Sequence, residues 1–299
     1  MNLFAKIYNL SIVARFRRAL LSILLGNSQG RRFLAFLVTV YARRRTGEDV
    51  KVYFDGVWGH SFAGICVPDS RKFCYHEEAI DRWTQEVAKW KRAAEEFWCV
   101  KYKPQPGDVI IDVGAGIGTD AFYFSPILGE KGKIIAIEAN PNTYALLTKM
   151  CEWNGLRNVT CRQCAIVDSP KDVLLEDGDY HEANSIAFIS SESCGSVLVP
   201  GQSLDYLVEK EGLSRIDFIK MNIEGAETLA LEGMKQALML TRHVCIACHD
   251  FRADCGEGEG FRTRKQVERT LCDLGFRLLP VDSKRRPAIR DHVHGFRAS

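Results

Sequence analysis

The chain has 299 residues, 46% hydrophobic and 26% charged, with a formal net charge of +2. This describes an ordinary soluble globular protein with room for one large or two small cores. Of its 40 Lys and Arg, nine fall in residues 1–45, where there is no acid, so the rest carries 31 bases against 38 acids. That net of −7 excludes a nucleic-acid binder by charge, and no nucleic acid is expected as partner.

The first 45 residues hold short apolar runs cut by Lys6, Arg15, Arg17, Arg18, Arg31 and Arg32. The longest uncharged stretch, Ala19 to Gly30, falls short of the roughly 18 apolar residues that a membrane span needs. No small-residue cleavage site marks a signal peptide. Residues 1–47 therefore read as a basic amphipathic helical arm. It either lies on an anionic membrane surface or caps the body; an Arg-rich transit peptide is a third reading. A cytoplasmic protein, free or peripheral on a membrane, is expected.

Residues 48–106 read as a strand and helix extension that lids the site. Val50 to Phe54 and Val57 to Val67 suggest a hairpin about Asp55-Gly56. Apolar residues from Ile80 to Trp98, three and four apart, predict a helix over 77–101.

From residue 107 onward, strand and helix alternate. Strands are predicted at Val109–Val113, Lys133–Ile137, Val159–Ile166, Ile216–Met221, His243–Cys248, Arg277–Pro280 and His292–Phe296. Helices are predicted near Thr119–Leu128, Asn142–Asn154, Ser203–Glu211, Ala226–Leu240 and Thr263–Leu274. This βα repeat builds a parallel sheet with helices on both faces. Residues 168–201 interrupt the rhythm as a candidate substrate loop, with one short strand at Ser196–Val199.

The eleven cysteines are odd in number and form no disulfide framework, which favours a reducing compartment. Cys161-x-x-Cys164 and Cys245-x-x-Cys248 fall on predicted buried strands, where residues three apart face opposite ways. They are read as small buried hydrophobes rather than zinc ligands.

The central stretch is Val109 to Asp120. A buried strand ends in Asp112 and a Gly114-Ala115-Gly116-Ile117-Gly118 turn, with a helix behind it. The glycines let the backbone bend and approach a ligand, and the helix offers free N–H groups. Glu138 ends the next strand, 22 residues beyond Gly116, where an acid can take ribose hydroxyls.

With Asp112 to Gly118, Ala136 to Pro141 and Asp217 to Glu227, the chain resembles the FkbM-type S-adenosylmethionine-dependent methyltransferases over roughly residues 97–299. Ile223-Glu-Gly-Ala-Glu227 is the most family-specific part. The family usually has Asp where this chain has Asn222. The resemblance implies an α/β, Rossmann-like class I methyltransferase domain over 107–299. Its sheet should have seven mostly parallel strands, the last antiparallel, with helices on both faces and an N-terminal helical region in front. It implies S-adenosylmethionine as cofactor, held by Asp112, Gly114, Ala115, Gly116, Gly118, Glu138, Ala139, Ala165 and Asn222.

The methyl of a sulfonium is already activated, so such a site mainly aligns donor and acceptor. A hydroxyl acceptor also needs its proton removed. His249, Glu224 and Asp250 stand at neighbouring strand ends and are the catalytic candidates, with His249 as base. Glu227 reads as a helix-dipole residue. No metal is expected, since Asn222 lacks the charge that a hard cation prefers. The expected reaction is O-methylation of a small molecule, sugar or lipid-linked glycan, with peripheral membrane contact through residues 1–45. The competing readings are a nicotinamide-dependent oxidoreductase and a non-catalytic membrane-associated scaffold.

Overall fold

A computed structural model describes residues 19–70, 72–73, 75, 77–176, 196–281 and 287–298. Residues 1–18 of the basic arm and 177–195 of the insertion lie outside the described residues. The chain separates into two compact units, Met1–Glu86 and Val87–Ser299.

In the first unit a helical stretch, residues 19–25, precedes helix α1 (Ser28–Thr46). Asn27 caps α1 by accepting from the Gly30 N–H, and Gly47 ends it in the left-handed region. A three-stranded antiparallel sheet follows: β1 (Lys51–Asp55), β2 (Val57–Phe62) and β3 (Ile65–Ser70). The predicted hairpin thus has a second turn, at Ala63 and Gly64, both with positive φ. Leu34, Ala35 and Ala42 of α1 share a core with Val50, Val52, Phe54, Trp58, Ile80 and Trp83. Within it His60 is fully buried, stacked on Trp83, with Nδ1 3.0 Å from Asp69 and Nε2 3.3 Å from Glu86.

Helix α2 (Glu77–Ala93) is followed by a π-helical turn at Ala94–Trp98, closed by the Cys99 N–H on the Ala94 carbonyl. The single helix expected over 77–101 therefore changes winding and ends early.

The second unit is built on β4 (Val109–Val113), β5 (Lys133–Glu138), β6 (Val159–Gln163), β10 (Ile216–Met221), β11 (Thr241–Ala247), β12 (Arg277–Leu279) and β13 (His292–Phe296). These seven strands lie in the order β12-β13-β11-β10-β4-β5-β6. Strand β13 runs antiparallel to both neighbours; the pairings among β11, β10, β4, β5 and β6 are parallel. This is the expected α/β, Rossmann-like class I methyltransferase architecture. Ile111, Ile135, Ile219 and Val244 fill one face of the sheet; Ile110, Ile134, Phe218 and Cys245 fill the other. The strands are apolar without alternation because both faces are covered.

Two expectations change in detail, and one strand is new. The predicted strand Val159–Ile166 breaks at Cys164, and Ala165–Ile166 becomes β7 of a separate sheet with β8 (Lys171–Glu176) and β9 (Ser196–Gln202). Strand β8 gave no sequence signal, because its partner lies across the insertion. The predicted helix 226–240 splits into Glu227–Glu232 and Lys235–Met239. Between them Gly233 presses on the β7 end, where a Cβ would stand 1.9 Å from the Val167 carbonyl oxygen.

Candidate active site

Strand β10 lies between β4 and β11, and Met221 is in register with both Val113 and Ile246. The carboxyl ends of three strands therefore stand side by side, as expected for a ligand site in an open α/β sheet.

On the β4 side, Gly114, Gly116 and Gly118 all have positive φ. Each serves a different need. At Gly114 a Cβ would lie 1.9 Å from the Asn222 carbonyl oxygen, so the turn hugs the loop after β10. At Gly118 it would meet the Leu147 side chain at 2.8 Å. At Gly116 it would meet nothing within 4 Å, which leaves an open cradle. Ala115 is buried in this turn, and its N–H donates to the Ile137 carbonyl.

Glu138, at the end of β5, accepts from the Gly116 N–H at 3.0 Å and the Asn140 N–H at 2.9 Å. Burial raises its pKa to about 7, although those N–H groups favour the ionised form. Each carboxylate oxygen keeps acceptor capacity for a further hydroxyl. Ala139 and Ala165 share one apolar cluster.

The sequence reading missed Lys220. It sits at 2% exposure with Nζ 2.7 Å from Asp112 Oδ1 and 3.4 Å from Asp120 Oδ2, and it donates to the Gly114 carbonyl at 2.8 Å. Burial opposes its charge, but Asp112 and Asp120 outweigh that and hold its pKa above the usual lysine value. Burial raises the Asp112 pKa to about 6 against the pull of Lys220. A lysine inside an apolar strand was the available signal, since a buried charge needs a partner. Beyond that ion pair, Asp112 Oδ2 and Asn222 Oδ1 are buried without a hydrogen-bond donor among the described residues.

On the β11 side, His249 is buried between two carboxylates. Its Nδ1 lies 3.1 Å from Glu227 Oε1 and its Nε2 3.3 Å from Glu224 Oε1. Burial disfavours the imidazolium, but these two acids outweigh it and raise the pKa to about 9. Glu227 is fully buried and also accepts from the Gly225 N–H and the Thr263 hydroxyl. That network gives it more than the helix-dipole part expected from sequence. Glu224 has φ +52, a left-handed conformation on a residue with a side chain. Burial raises its pKa, yet His249 and Arg252 outweigh that and hold it below the usual range. Arg252 donates to Glu224 at 2.8 Å and lies over the Phe261 ring at 4.0 Å. Asp250 is turned to other work: it accepts from the Thr263 and Arg264 N–H groups and ties down the start of the helix Arg264–Asp273.

A protein-family description, Methyltransferase FkbM domain, matches residues 112–278, more than half of the chain. The chain belongs to the FkbM methyltransferase family. The Hexuronic acid methyltransferase AglP of Haloferax volcanii is 31% identical over 142 residues, which are 48% of this chain and 56% of that protein. The chain thus spans about half the length of the curated relative it matches. Among solved structures, a SAM dependent methyltransferase from Aquifex aeolicus is 19% identical, covering 70% of this chain and 96% of that one at a TM-score of 0.40. The Methanococcus jannaschii fibrillarin pre-rRNA processing protein is 17% identical, covering 83% and 94% at a TM-score of 0.44.

Membership of the FkbM family implies S-adenosylmethionine, and the residues fit it. The cradle over Gly116 leaves room for the donor chain, and Glu138 offers a carboxylate for the ribose hydroxyls. Asp112 Oδ2 and Asn222 Oδ1 are buried acceptors that suit an ammonium group.

Proposed function

We propose that this protein is an S-adenosylmethionine-dependent O-methyltransferase whose acceptor is a hydroxyl on a sugar, with a uronic acid unit of a glycan or lipid-linked glycan as the best fit. One observation carries the reading. The loop after β10 abuts the glycine turn at Asn222 and contacts His249 through Glu224, so one short segment joins the donor cradle to a basic group. The sugar class is supported by the name of the Haloferax volcanii relative.

When bound, S-adenosylmethionine supplies a methyl group activated on a sulfonium. The chain's own residues do the rest. Glu227 fixes the His249 ring by its Nδ1 edge, an arrangement that orients an imidazole for proton transfer at Nε2. Glu224 occupies Nε2 in the free protein. An acceptor hydroxyl that displaces Glu224 removes one of the two charges that raise the His249 pKa. His249, having released its own Nε2 proton to solvent as its pKa falls, takes the hydroxyl proton at Nε2 as the oxygen bonds to the methyl carbon. A donor held by Glu138 and the Gly114–Gly118 turn would supply that methyl carbon and keep the carbon–sulfur electron pair.

The test pairs product analysis with a pH profile. Incubation with donor and uronate-bearing oligosaccharides should add the mass of one methyl group, resistant to mild base as an ether is. Because kcat/KM reports the free protein, it should rise with pH toward about 9. Glu224→Gln should move that inflection downward. A profile flat from about pH 7 to 9 would remove His249 as the base, and methylation at nitrogen would remove the O-directed reading.

A further inference from the structure

Helix α1 is apolar on two opposite faces. Leu34, Ala35 and Ala42 enter the core of the first unit. On the other side Phe33, Phe36, Leu37 and Tyr41 are 53%, 60%, 43% and 43% exposed. Their spacing of three and four puts them on one stripe. Leu20 and Ile23, in the preceding helical stretch, are also exposed. Six of the ten large apolar side chains most exposed among the described residues thus fall between 20 and 41. A contiguous patch of this kind marks a contact surface, whereas single exposed apolar residues do not.

Charge selects the partner. The stripe is bordered by the exposed Arg32, Arg43 and Arg44. A groove of about 470 Å³ opens beside it, lined by Arg32, Phe36, Arg43, Lys51, Tyr53 and Phe54 among others. Cations next to aromatic rings suit a phosphate headgroup with the start of its acyl chain. Arg43 spends its charge on Asp49, but that acid is 91% exposed and such a pair is weak in water. Arg45 faces away, held by Asp81 and Glu77. No helix among the described residues is long and apolar enough to cross a membrane. A helix with these properties lies flat in the interface, its aromatics at the headgroup level.

We propose that the outer face of α1 and its groove form a docking surface for an anionic lipid membrane. The packed-cap and interfacial readings of the arm are then two faces of one helix.

The test is sedimentation of the full chain with phosphatidylcholine vesicles, with and without phosphatidylserine. The chain should sediment with the acidic vesicles only, and added salt should release it. Phe36→Ser with Leu37→Ser should weaken binding on the order of tenfold, and so should Arg32→Glu with Arg44→Glu. Both double variants should bind S-adenosylmethionine as the parent does. The charge-reversal pair keeps the result decisive should the serine pair misfold. Three outcomes overturn the proposal. The full chain fails to sediment with acidic vesicles; both variants sediment as the parent does, which assigns binding to another segment such as residues 1–18; or light scattering shows that the variants dissociate a dimer while vesicle binding is unchanged, which assigns the face to a second copy.

Discussion

Lys220 Nζ stands 2.7 Å from Asp112 Oδ1, and the two side chains are 3% and 0% exposed. The pair ties the middle strand of the sheet to the strand that carries the glycine turn. With Asp120 at 3.4 Å, the cluster holds one cation against two acids. Breaking such a pair leaves an uncompensated buried charge, which is worse than never having had the pair.

Lys220→Met should therefore destabilise the second unit by about 3–5 kcal/mol, read by urea denaturation. Adding Asp112→Asn to it should recover part of that loss, because the orphaned charge goes with the residue. A single variant as stable as the parent would show that the pair is not what holds the turn.

Donor binding should depend on Gly116 and Glu138 in different ways. Gly116→Arg fills the open cradle and should abolish binding in calorimetry. Glu138→Ala should weaken it by about 1–3 kcal/mol, the cost of polar groups left unpaired. The Glu138 pKa is raised to about 7, so the carboxylate gains a proton as pH falls below that value. Ribose hydroxyls need the ionised form as acceptor, so parent affinity should fall below pH 7 and Glu138→Gln should flatten the curve. A parent affinity indifferent to pH from about 5 to 8 would sink this account.

Two histidines tie stability to pH. His60 and His249 both have folded pKa values raised to about 9, well above the ordinary 6.5; burial opposes the charge and neighbouring acids outweigh it. Their contribution is full below pH 6.5 and is lost as pH rises through 9. Each is worth about 3 kcal/mol. Thermal melts should drop across that window. His60→Gln should remove the drop for the first unit, and His249→Gln for the second. Melting temperatures that climb from pH 7 to 9 would contradict the assignment.

The fold was legible where the pattern is local. Unalternating apolar strands, the glycine turn and the acids at strand ends announced the sheet, and the helix Thr119–Leu128 has the bounds predicted for it. The place of Glu138 beside Gly116 was legible because chain distance from the turn fixes it. What the sequence hid depends on partners far along the chain. Glu227 looks like a helix-start acid until Thr263 and His249 are folded onto it. Asp250 looks like a third site acid until its oxygen is seen holding the N–H groups of residues 263 and 264. The break at Gly233 follows from contact with a β7 strand end more than sixty residues earlier, which helical periodicity cannot report.

Glu224 holds a positive φ that glycine would adopt at less strain, and it does so beside the His249 imidazole. A side chain in that conformation costs on the order of 1–2 kcal/mol of backbone strain. Anyone selecting this protein for heat resistance should therefore see Glu224→Gly among the gains if its ion pairs are worth less than the strain. The same substitution would erase the carboxylate that faces His249. A thermostability screen run without an activity filter would therefore shift the pH dependence of turnover downward, and at this codon first.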